Sequence, residues 1–492
     1  MKLLRASYVI WSAVSLWKCV NATPVAASIT SLPIVLSQPL VDEAHLRAKK
    51  EAIADRYIVR LKKNKSPSSL RNYLHSRVAS SDASCHPSRQ YPNNILNEFK
   101  IGQFSALTVR GCSPSMQSDL EEREEVAWVE PDTIFRVALT PNYSKQFVDS
   151  AGPGAWDSKL SKKPFNATKL EKRAFRLPHN VEIADQTEPL SWGLVRISHR
   201  LPEYGEPYRY PSAAGEGVHV FVLDTGLDEK NPDFNGRAKL EVNFVETEPA
   251  EDLSGHGTHV AGTIAGTKYG VAKKAYVHGV KILDRYGLGS ISGILAGVDW
   301  VARSGYNSSI LNLSLVGPRS QAVDDAISAL VKEHKVAAFV AAGNSGDDAC
   351  KYSPSGNSDV FSVGASSKND EVADFSNSGN CVRVYAPGVD IVSDTVSGDN
   401  TPVAMQGTSM SSPHVAGIAA LFLSLHHFES PHELYRAIES VATKGTLQMN
   451  KALPSSNNLL AYSLPKSSQM PVDVSFFSLT KVIVKAFRRT QR

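Results

Sequence analysis

The chain of 492 residues lacks the features that mark membrane proteins and nucleic-acid-binding proteins. Its N-terminal apolar run, from Ala6 to Leu16, is too short to cross a bilayer comfortably, and no other run reaches that length. The formal net charge is only +4, and no long basic run with interleaved aromatic residues occurs. We therefore expect neither an integral membrane segment nor a nucleic-acid partner.

Cysteine is also scarce, with five residues in the chain, and Cys19 lies inside a predicted secretory signal. The remaining cysteines allow three pairings in a secreted protein. If proteolysis separates Cys85 and Cys112 from Cys350 and Cys381, each disulfide should lie within one fragment. A disulfide between the two fragments would tether the released piece. The predicted bonds are Cys350–Cys381 and Cys85–Cys112.

The secretory signal makes each Asn-x-Ser/Thr sequence a candidate glycosylation site. Asn312 lies in an apolar, strand-like run, so we expect it to stay unmodified. The acceptors are Asn21, Asn142, Asn166, Asn307 and Asn312.

Composition and periodicity divide the chain into segments. Basic residues followed by apolar and small residues predict the signal, and strand-like stretches such as Arg56–Leu61, Phe99–Val109 and Glu125–Asp132 predict a small α+β unit. A proline-containing linker follows, with the dibasic pair Lys172-Arg173 as a candidate processing site. The signal, the α+β unit, the linker, a large domain and a solvated tail are expected at 1–22, 23–136, 137–185, 186–446 and 447–492.

Apolar strands alternate with helical patterns in the large domain. The strand-like stretches are apolar on both faces, and they include Gly217–Leu223, Tyr276–Leu283, Ser309–Leu315 and Val336–Ala342. The helical patterns include Ser292–Ala302 and Ala322–His334. This alternation predicts an α/β fold with a doubly wound, mainly parallel sheet. In such a fold, functional groups collect just past the carboxyl ends of the strands.

The first of these strands ends in Asp224-Thr225-Gly226. An aspartate at a strand end is often only a turn former. An aspartic protease would need a second such carboxylate to share the proton, and the chain has one Asp-Thr-Gly copy. Asp224 therefore needs other side chains beside it to be functional.

His256 stands between two glycines at a predicted helix start, which packing alone does not explain. The alternative is a metal site formed with His259. However, His-x-x-His lacks the i, i+4 spacing and the intervening glutamate of a zinc protease helix. The pattern therefore favours His256 as a catalytic base.

Two further polar residues stand where a strand ends and where a helix begins. Asn344 follows an apolar strand, where it is either a turn residue or an amide donor for a negative oxygen. Ser409 lies at a predicted helix start, where a serine is either a cap or a nucleophile beside unpaired backbone N–H groups.

All four residues fit one mechanism. Ser409 attacks a carbonyl, His256 takes the proton and later gives it to the leaving group, and Asp224 holds the imidazole tautomer. Asn344 and the Ser409 N–H stabilise the oxyanion. An α/β-hydrolase esterase would place the serine before the acid and the histidine, in a Gly-x-Ser-x-Gly elbow, which Ser409 lacks. A binding protein without activity on the same fold is the other alternative.

These motifs resemble those of subtilisin-type serine proteases, in the branch of proteinase K and cerevisin. The residues that carry the resemblance are Val222–Gly226, His256–Gly262, Ala341–Asn344 and Gly407–Gly417, and it extends from Gln186 to Thr443. It implies a monomeric serine endopeptidase that acts on protein or peptide substrates and requires no cofactor. Cys350 and Cys381 match a cerevisin-type disulfide.

The α+β unit is similar to the inhibitor-type propeptide of these proteases. The resemblance implies a zymogen whose propeptide assists folding, blocks the cleft and is cut off by the enzyme itself, near Val137. With the signal, it implies a secretory-pathway protein that is secreted or reaches the cell wall or a vacuole- or lysosome-like compartment.

The resemblance also implies substrate-binding strands and a weak metal site. The P1 pocket receives the substrate side chain that immediately precedes the cleaved bond. Most relatives have glycine where Val316 stands, so we expect this pocket to accept small or slender substrate side chains. A structural calcium ion at Asp390 is implied, with carbonyl ligands near Ser358 and Val360. The expected substrate-binding residues are Gly287, Gly289, Ser314, Leu315, Val316, Ala342 and Gly343.

Overall fold

A computed structural model describes residues 34–35, 43–79, 95–111, 116–139, 175–176, 178, 181–396, 401–449 and 456–464. Several predicted features lie outside these residues, namely the signal peptide, the Cys85–Cys112 pair, Lys172-Arg173, the acceptors Asn21, Asn142 and Asn166, and residues 465–492. Within the described ranges, no helix combines the length and the apolar character that a membrane span requires.

The N-terminal part contains an antiparallel sheet with helices. Its elements are β1 (Ile34–Val35), α1 (Glu43–Ile53), β2 (Arg56–Leu61), α2 (Ser68–Ala79), β3 (Ile95–Ile101), β4 (Phe104–Arg110), α3 (Met116–Glu121), β5 (Val126–Pro131) and β6 (Ile134–Val137). The sheet has the order β3-β4-β2-β5, with every neighbouring pair antiparallel. The predicted single strand Phe99–Val109 is wrong, because the chain turns at Gly102, where φ is +53°, and forms a hairpin.

The large domain is built on a nine-stranded sheet. Its first half contains β7 (Ile183–Gln186), α4 (Trp192–Ser198), β8 (Tyr208–Pro211), β9 (His219–Asp224), β10 (Ala238–Asn243), α5 (His256–Ala265), β11 (Tyr276–Lys281), β12 (Leu288–Ser290), α6 (Ile291–Arg303), β13 (Ser309–Leu313), β14 (Leu315–Pro318) and α7 (Gln321–Glu333). The second half contains β15 (Ala337–Ala341), β16 (Tyr352–Ser353), β17 (Phe361–Ser366), β18 (Val382–Pro387), β19 (Ile391–Ser393), β20 (Val403–Met405), α8 (Thr408–Leu423), α9 (Pro431–Val441), β21 (Thr443–Lys444) and β22 (Leu459–Leu460).

The sheet is mainly parallel, as predicted. The order is β10-β11-β9-β13-β15-β17-β18-β22-β21, and only the last pair is antiparallel. Successive side chains of a strand point to opposite faces. Val220 and Val222 therefore pack in one core with α5 and α8, whereas Phe221 and Leu223 pack in the other with α6 and α7. This two-sided burial explains the continuous apolar runs.

The N-terminal sheet packs one face on its own helices and the other on the large domain. Val59 and Leu107 contact the α2 and α3 side of the small unit. Phe99 and Phe104 join the core that contains α6 and α7. The edge strand adds a polar contact, since the Lys100 amide donates to Asp299 Oδ1 at 2.9 Å.

The large domain extends beyond both predicted boundaries. The predicted tail start at residue 447 is wrong, because β22 lies inside the sheet and Leu460 is fully buried. At the other end, Phe175 packs on Phe422 with ring centroids 4.9 Å apart, and its amide donates to Ser440 Oγ at 3.0 Å. The domain therefore includes residues before 186. Neither extension was predicted, because the apolar segments around Phe175 and Leu460 are short and lie between polar stretches.

Candidate active site

Asp224 and His256 meet at the carboxyl ends of the parallel strands. Asp224 is the last residue of β9, and His256 is the first of α5. His256 Nδ1 lies 2.7 Å from Asp224 Oδ1, and both side chains are fully buried. His256 Nε2 has no hydrogen-bond partner among the described residues. The carboxylate therefore favours Nδ1 as the donor and leaves Nε2 able to accept a proton.

A buried carboxylate, Asp252, holds the start of α5. Its Oδ1 accepts from the Gly255 amide at 2.9 Å and from the Thr225 hydroxyl at 2.8 Å. Its Oδ2 accepts from the Thr258 amide at 2.9 Å. These bonds fix α5 against the turn after β9. Asp252 was not predicted as a site residue, although an acid just before a helix start is a typical capping signal.

Gly257 allows α5 to approach the turn that follows Asp224. A Cβ built at Gly257 would lie 2.1 Å from the Gly226 carbonyl oxygen. A larger residue would therefore push His256 away from Asp224. The glycine after the histidine is explained by this close backbone contact.

Ser409 is the second residue of α8, which begins after Gly407. Its amide, one of the unpaired N–H groups of a helix start, donates to the Ala138 carbonyl at 3.2 Å. Its hydroxyl donates to the Ser314 carbonyl at 2.9 Å, so it is turned to Ser314 and not to His256 Nε2. A Cβ at Gly407, where φ is +152°, would lie 2.4 Å from the Ala138 oxygen, so only glycine leaves room for that carbonyl.

Asn344 presents an amide N–H beside the same carbonyl. Its Oδ1 accepts from the Thr408 amide at 2.9 Å and from the Thr408 hydroxyl at 2.7 Å. Its Nδ2 is buried and has no partner in the described part of the chain. The Cβ position at Gly407 lies 2.9 Å from this Nδ2 and 2.4 Å from the Ala138 oxygen. An unmet buried donor costs about 1–3 kcal/mol, so this amide is suited to bind a ligand oxygen.

Residues 134–138 lie in the cleft as an extended strand. Strand β6 pairs antiparallel with β12 on one side and with β14 on the other. The Val137 amide donates to the Gly287 carbonyl at 2.9 Å, and the Ala138 amide donates to the Ser314 carbonyl at 3.1 Å. The flanking chains contain the expected substrate-binding residues Gly287, Gly289, Ser314, Leu315 and Val316.

Two pockets receive side chains of this strand. Ala138 packs with Val316 and Ala341 in a small apolar cluster. Phe135 is fully buried, and a Cβ built at Gly317 would lie 2.5 Å from its ring. Gly317 was not among the expected substrate-binding residues, although its lack of a side chain is what admits the ring.

The other two expected pocket residues, Ala342 and Gly343, have contacts outside the cluster around Ala138. Ala342 belongs to a different apolar cluster, and its carbonyl accepts from Asn377 Nδ2 at 2.9 Å. The Gly343 amide donates to the Thr408 hydroxyl at 3.0 Å, and a Cβ at Gly343 would lie 3.3 Å from Val316 Cγ2. Gly343 therefore borders Val316, whereas Ala341 and not Ala342 packs with Ala138.

His259 has a structural environment. Burial lowers the pKa of His259 to about 3, so the ring is neutral at ordinary pH. Its Nε2 lies 2.9 Å from the Ile391 carbonyl and 3.1 Å from the Val403 carbonyl, to which it donates. Through these bonds at Nε2, His259 ties β19 and β20 to α5.

Two buried carboxylates of the N-terminal part sit at helix starts of the large domain. Asp132 accepts from the Ser292 amide at 3.2 Å and from its hydroxyl at 2.6 Å. Glu130 accepts from the Ala322 amide at 3.0 Å. Burial raises the pKa of both carboxyl groups. These contacts connect the N-terminal part to the starts of α6 and α7.

The disulfide and the metal expectation concern residues away from the cleft. Cys350 and Cys381 form the predicted disulfide, with Cα atoms 5.3 Å apart. Asp390 is exposed, and the described residues contain no cluster of three or more His, Cys, Asp or Glu side chains suited to a metal. The structural calcium ion at Asp390 therefore stays a prediction.

Comparisons with known proteins agree with this geometry. The family model described as "Subtilase family" matches residues 215–458. The chain is 42% identical over 274 residues to "Subtilisin-like protease 1" of Pseudogymnoascus destructans, covering 56% of this chain and 67% of that protein. It is 36% identical over 392 residues to "Subtilisin-like protease 6" of Trichophyton verrucosum, covering 76% and 84%. A solved structure, "Crystal structure of a cold adapted subtilisin-like serine proteinase", aligns with TM-score 0.53 and 39% identity over 56% of this chain and 98% of that one.

Proposed function

The chain belongs to the subtilase family and is a subtilisin-like serine endopeptidase, and we propose that Asp224, His256, Ser409 and Asn344 carry its chemistry and that it is made as a zymogen. The supporting observation is the Ala138 carbonyl, which lies 3.2 Å from the Ser409 amide at the end of a strand paired on both sides. A peptide so held is oriented for attack at that carbonyl.

The proposed reaction begins when the Ser409 hydroxyl rotates from the Ser314 carbonyl towards His256 Nε2. Its Oγ attacks the substrate carbonyl carbon, and Nε2 takes the proton. The buried Asp224 carboxylate stabilises the imidazolium, while the Ser409 amide and Asn344 Nδ2 hold the oxyanion. The C–N bond then breaks, and the leaving nitrogen takes the proton from Nε2. Water, deprotonated by the same histidine, hydrolyses the acyl-enzyme.

The first substrate is the chain itself. With the Ala138 carbonyl at the Ser409 amide, the bond to be cut is Ala138–Leu139. The released propeptide would end at Ala138, two residues beyond the expected boundary at 136. It would remain as an inhibitor, since β6 stays paired with β12 and β14 and Phe99 and Phe104 stay packed on the α6 and α7 side. N-terminal sequencing of the cleaved chain should therefore begin at Leu139, before any later cut at Lys172-Arg173.

The direct test of the function is labelling by a fluorophosphonate, which reacts with activated serine hydroxyls. Processed protein should take the label at Ser409, located by mass mapping. A processed protein that takes none would favour the alternative of a binding protein on the same fold.

Val316 is expected to restrict the P1 pocket to small side chains. Its side chain packs with Ala138 and Ala341, so it fills volume that glycine would leave open. The variant Val316→Gly should therefore raise kcat/KM for peptides with phenylalanine before the cut bond by about tenfold or more. Profiling with a matched peptide series checks this result.

The internal control is a peptide with alanine at the same position, whose kcat/KM should change by less than about threefold, because its methyl group already fits. Val316→Ala should give an intermediate gain for phenylalanine. If the unaltered enzyme prefers phenylalanine or tyrosine, and Val316→Gly leaves the preference unchanged, Val316 does not set the specificity.

Inhibition by the cleaved propeptide is expected to weaken as pH rises. Burial raises the pKa of Glu130 and Asp132 in the complex, and it raises the pKa of Asp324 on α7 to about 7. A carboxyl whose pKa is higher in the complex takes up a proton on association. Its contribution is fully present below its ordinary pKa of about 4 and is lost as pH rises through the raised value. The inhibition constant should increase about three- to tenfold between about pH 5 and about pH 7.5.

The inhibition constant is measured on freshly cleaved complex at each pH, with activity corrected for the pH profile of the free enzyme. The matched variant is Glu130→Gln with Asp132→Asn, which keeps the shape of both side chains but removes two titrating groups. This variant should reduce the pH dependence, and the part that remains is the contribution of Asp324. Inhibition that tightens with rising pH would contradict the assignment.

Delivery through the secretory pathway completes the proposal. Its support is the N-terminal sequence pattern and the Cys350–Cys381 disulfide, which persists in oxidising compartments. Secretion, the cell wall and a vacuole- or lysosome-like compartment are the proposed destinations. The proposed enzyme acts as a monomer on protein or peptide substrates without a required cofactor, and a calcium ion at Asp390 would be structural.

A further inference from the structure

Helix α1 lies outside the four-stranded sheet, yet one face of it is docked. Leu46 and Ile53 are buried, and His45 and Lys49 are half-buried, whereas most of its other residues are exposed. His45, Lys49 and Ile53 have the i, i+4, i+8 spacing of one helix face. Isolated helices of this length are marginal in water, so the contact surface stabilises α1.

The docked face contacts the turn from Asp284 to Leu288. Lys49 Nζ donates to Asp284 Oδ2 and, at 2.8 Å, to the Leu288 carbonyl. His45 Nε2 lies 3.4 Å from the same Oδ2, and its ring lies 4.0 Å from the Tyr286 ring, centroid to centroid. The Asp284 side chain is only 4% exposed, so this charge contact is shielded from water.

The same turn holds the strand in the cleft. Asp284 Oδ1 accepts from the Tyr286 amide at 3.0 Å and from the Leu288 amide at 2.9 Å. The Gly287 amide donates to the Asp284 carbonyl at 2.8 Å, and the Gly287 carbonyl accepts from the Val137 amide at 2.9 Å. Lys49 therefore bonds to Asp284 and Leu288, the two ends of the turn. Gly287, within the turn, binds Val137, the residue before Ala138.

We propose that the turn Asp284–Leu288 is a docking surface for α1, and that Lys49 makes this helix a second inhibitory element beside the four-stranded unit. The inference rests on the proposed function, because the strand that the turn stabilises is the one that blocks the cleft. Strand β1 gives a second contact of the N-terminal stretch, because it pairs in parallel with β20, the strand that precedes α8 and Ser409 in the chain. The N-terminal stretch thus contacts both the turn beside β6 and the strand that precedes α8.

The test uses the full chain with Ser409→Ala, in which cleavage is blocked, and measures amide hydrogen exchange at 284–290. Adding Lys49→Met should raise exchange there about tenfold or more, because a hydrogen-bonded charge contact that holds the turn is lost. The matched control is Arg47→Met, on the solvent face of the same helix, which should leave exchange unchanged. Protection of β13 is the reference for intact folding.

A second readout uses the chain with Ser409 intact. After the first cut, Lys49→Met should reach full activity several-fold sooner than Arg47→Met, and Lys49→Arg should retain part of the delay. Equal exchange at 284–290 in the Lys49→Met and Arg47→Met chains overturns the proposal. If exchange responds but neither chain with Ser409 intact hydrolyses peptides, the docking stands and the proposed function fails.

Discussion

Replacement of Ser409 by alanine is expected to abolish peptide hydrolysis, with kcat lowered by about 10⁶-fold, the magnitude known for the same change in subtilisin itself. The reason is that the Ser409 Oγ is the proposed nucleophile, whereas its amide, which holds the Ala138 carbonyl, remains after the change. The fold should persist, because the lost hydroxyl makes one hydrogen bond, to the Ser314 carbonyl at 2.9 Å. Steady-state kinetics and the loss of fluorophosphonate labelling measure the effect.

The same variant tests self-processing. If Ala138–Leu139 is cut by the chain's own active site, Ser409→Ala expressed in a protease-deficient host should accumulate uncut. The matched control is Ser424→Ala. Ser424 lies just past the C-terminal end of α8, where its hydroxyl donates to the Leu421 carbonyl, so its replacement should not affect catalysis. A Ser409→Ala chain that still begins at Leu139 would mean that another enzyme makes this cut.

The elements with strong periodicity could be predicted from sequence. Strand β2 has the predicted bounds Arg56–Leu61, and α6 differs from the predicted Ser292–Ala302 by one residue at each end. In these segments local propensity and burial agree, so the pattern alone determines the structure. The hairpin at Gly102 was not predicted, although Gly102-Gln103 separates the apolar residues Ile101 and Phe104 as a two-residue hairpin loop does.

Two of the proposed catalytic residues could be predicted from sequence because they lie at strand ends. Asp224 and Asn344 stand where apolar strands stop, and parallel strands bring such ends to one edge of the sheet. For Asp252 the sequence offers only a capping signal, because it precedes its helix in a loop without periodicity. Its role becomes clear only when its carboxylate is seen to bond Thr225, which is distant in sequence.

The occupied cleft could not be predicted to the residue. The family resemblance implies self-cleavage near Val137, but the register of β6 depends on pairing with β12 and β14, more than 140 residues away. A shift by one residue would turn every side chain to the other face. Phe135 and Ala138 fix the register instead, since one fills the space above Gly317 and the other packs with Val316.

Replacement of Asp224 by asparagine is expected to lower kcat by about 10⁴-fold, the magnitude known for the equivalent change in another serine protease. Asp224 Oδ1 accepts from His256 Nδ1 at 2.7 Å and from the Thr225 amide at 2.7 Å, in a fully buried position. The amide of asparagine carries no charge to stabilise the imidazolium that forms when Ser409 gives up its proton. If the amide nitrogen faces the ring, His256 is also held in the wrong tautomer.

The expected signature is a fall in kcat with KM within about threefold of the unaltered value, because the strands that bind substrate do not contain Asp224. The matched control is Asp185→Asn, which removes the same charge from a side chain that is 46% exposed and pairs with Arg209 at the surface. Asp185→Asn should leave both constants unchanged. If Asp224→Asn kept more than about one hundredth of kcat, the buried carboxylate would be positioning the loop and not stabilising charge on His256.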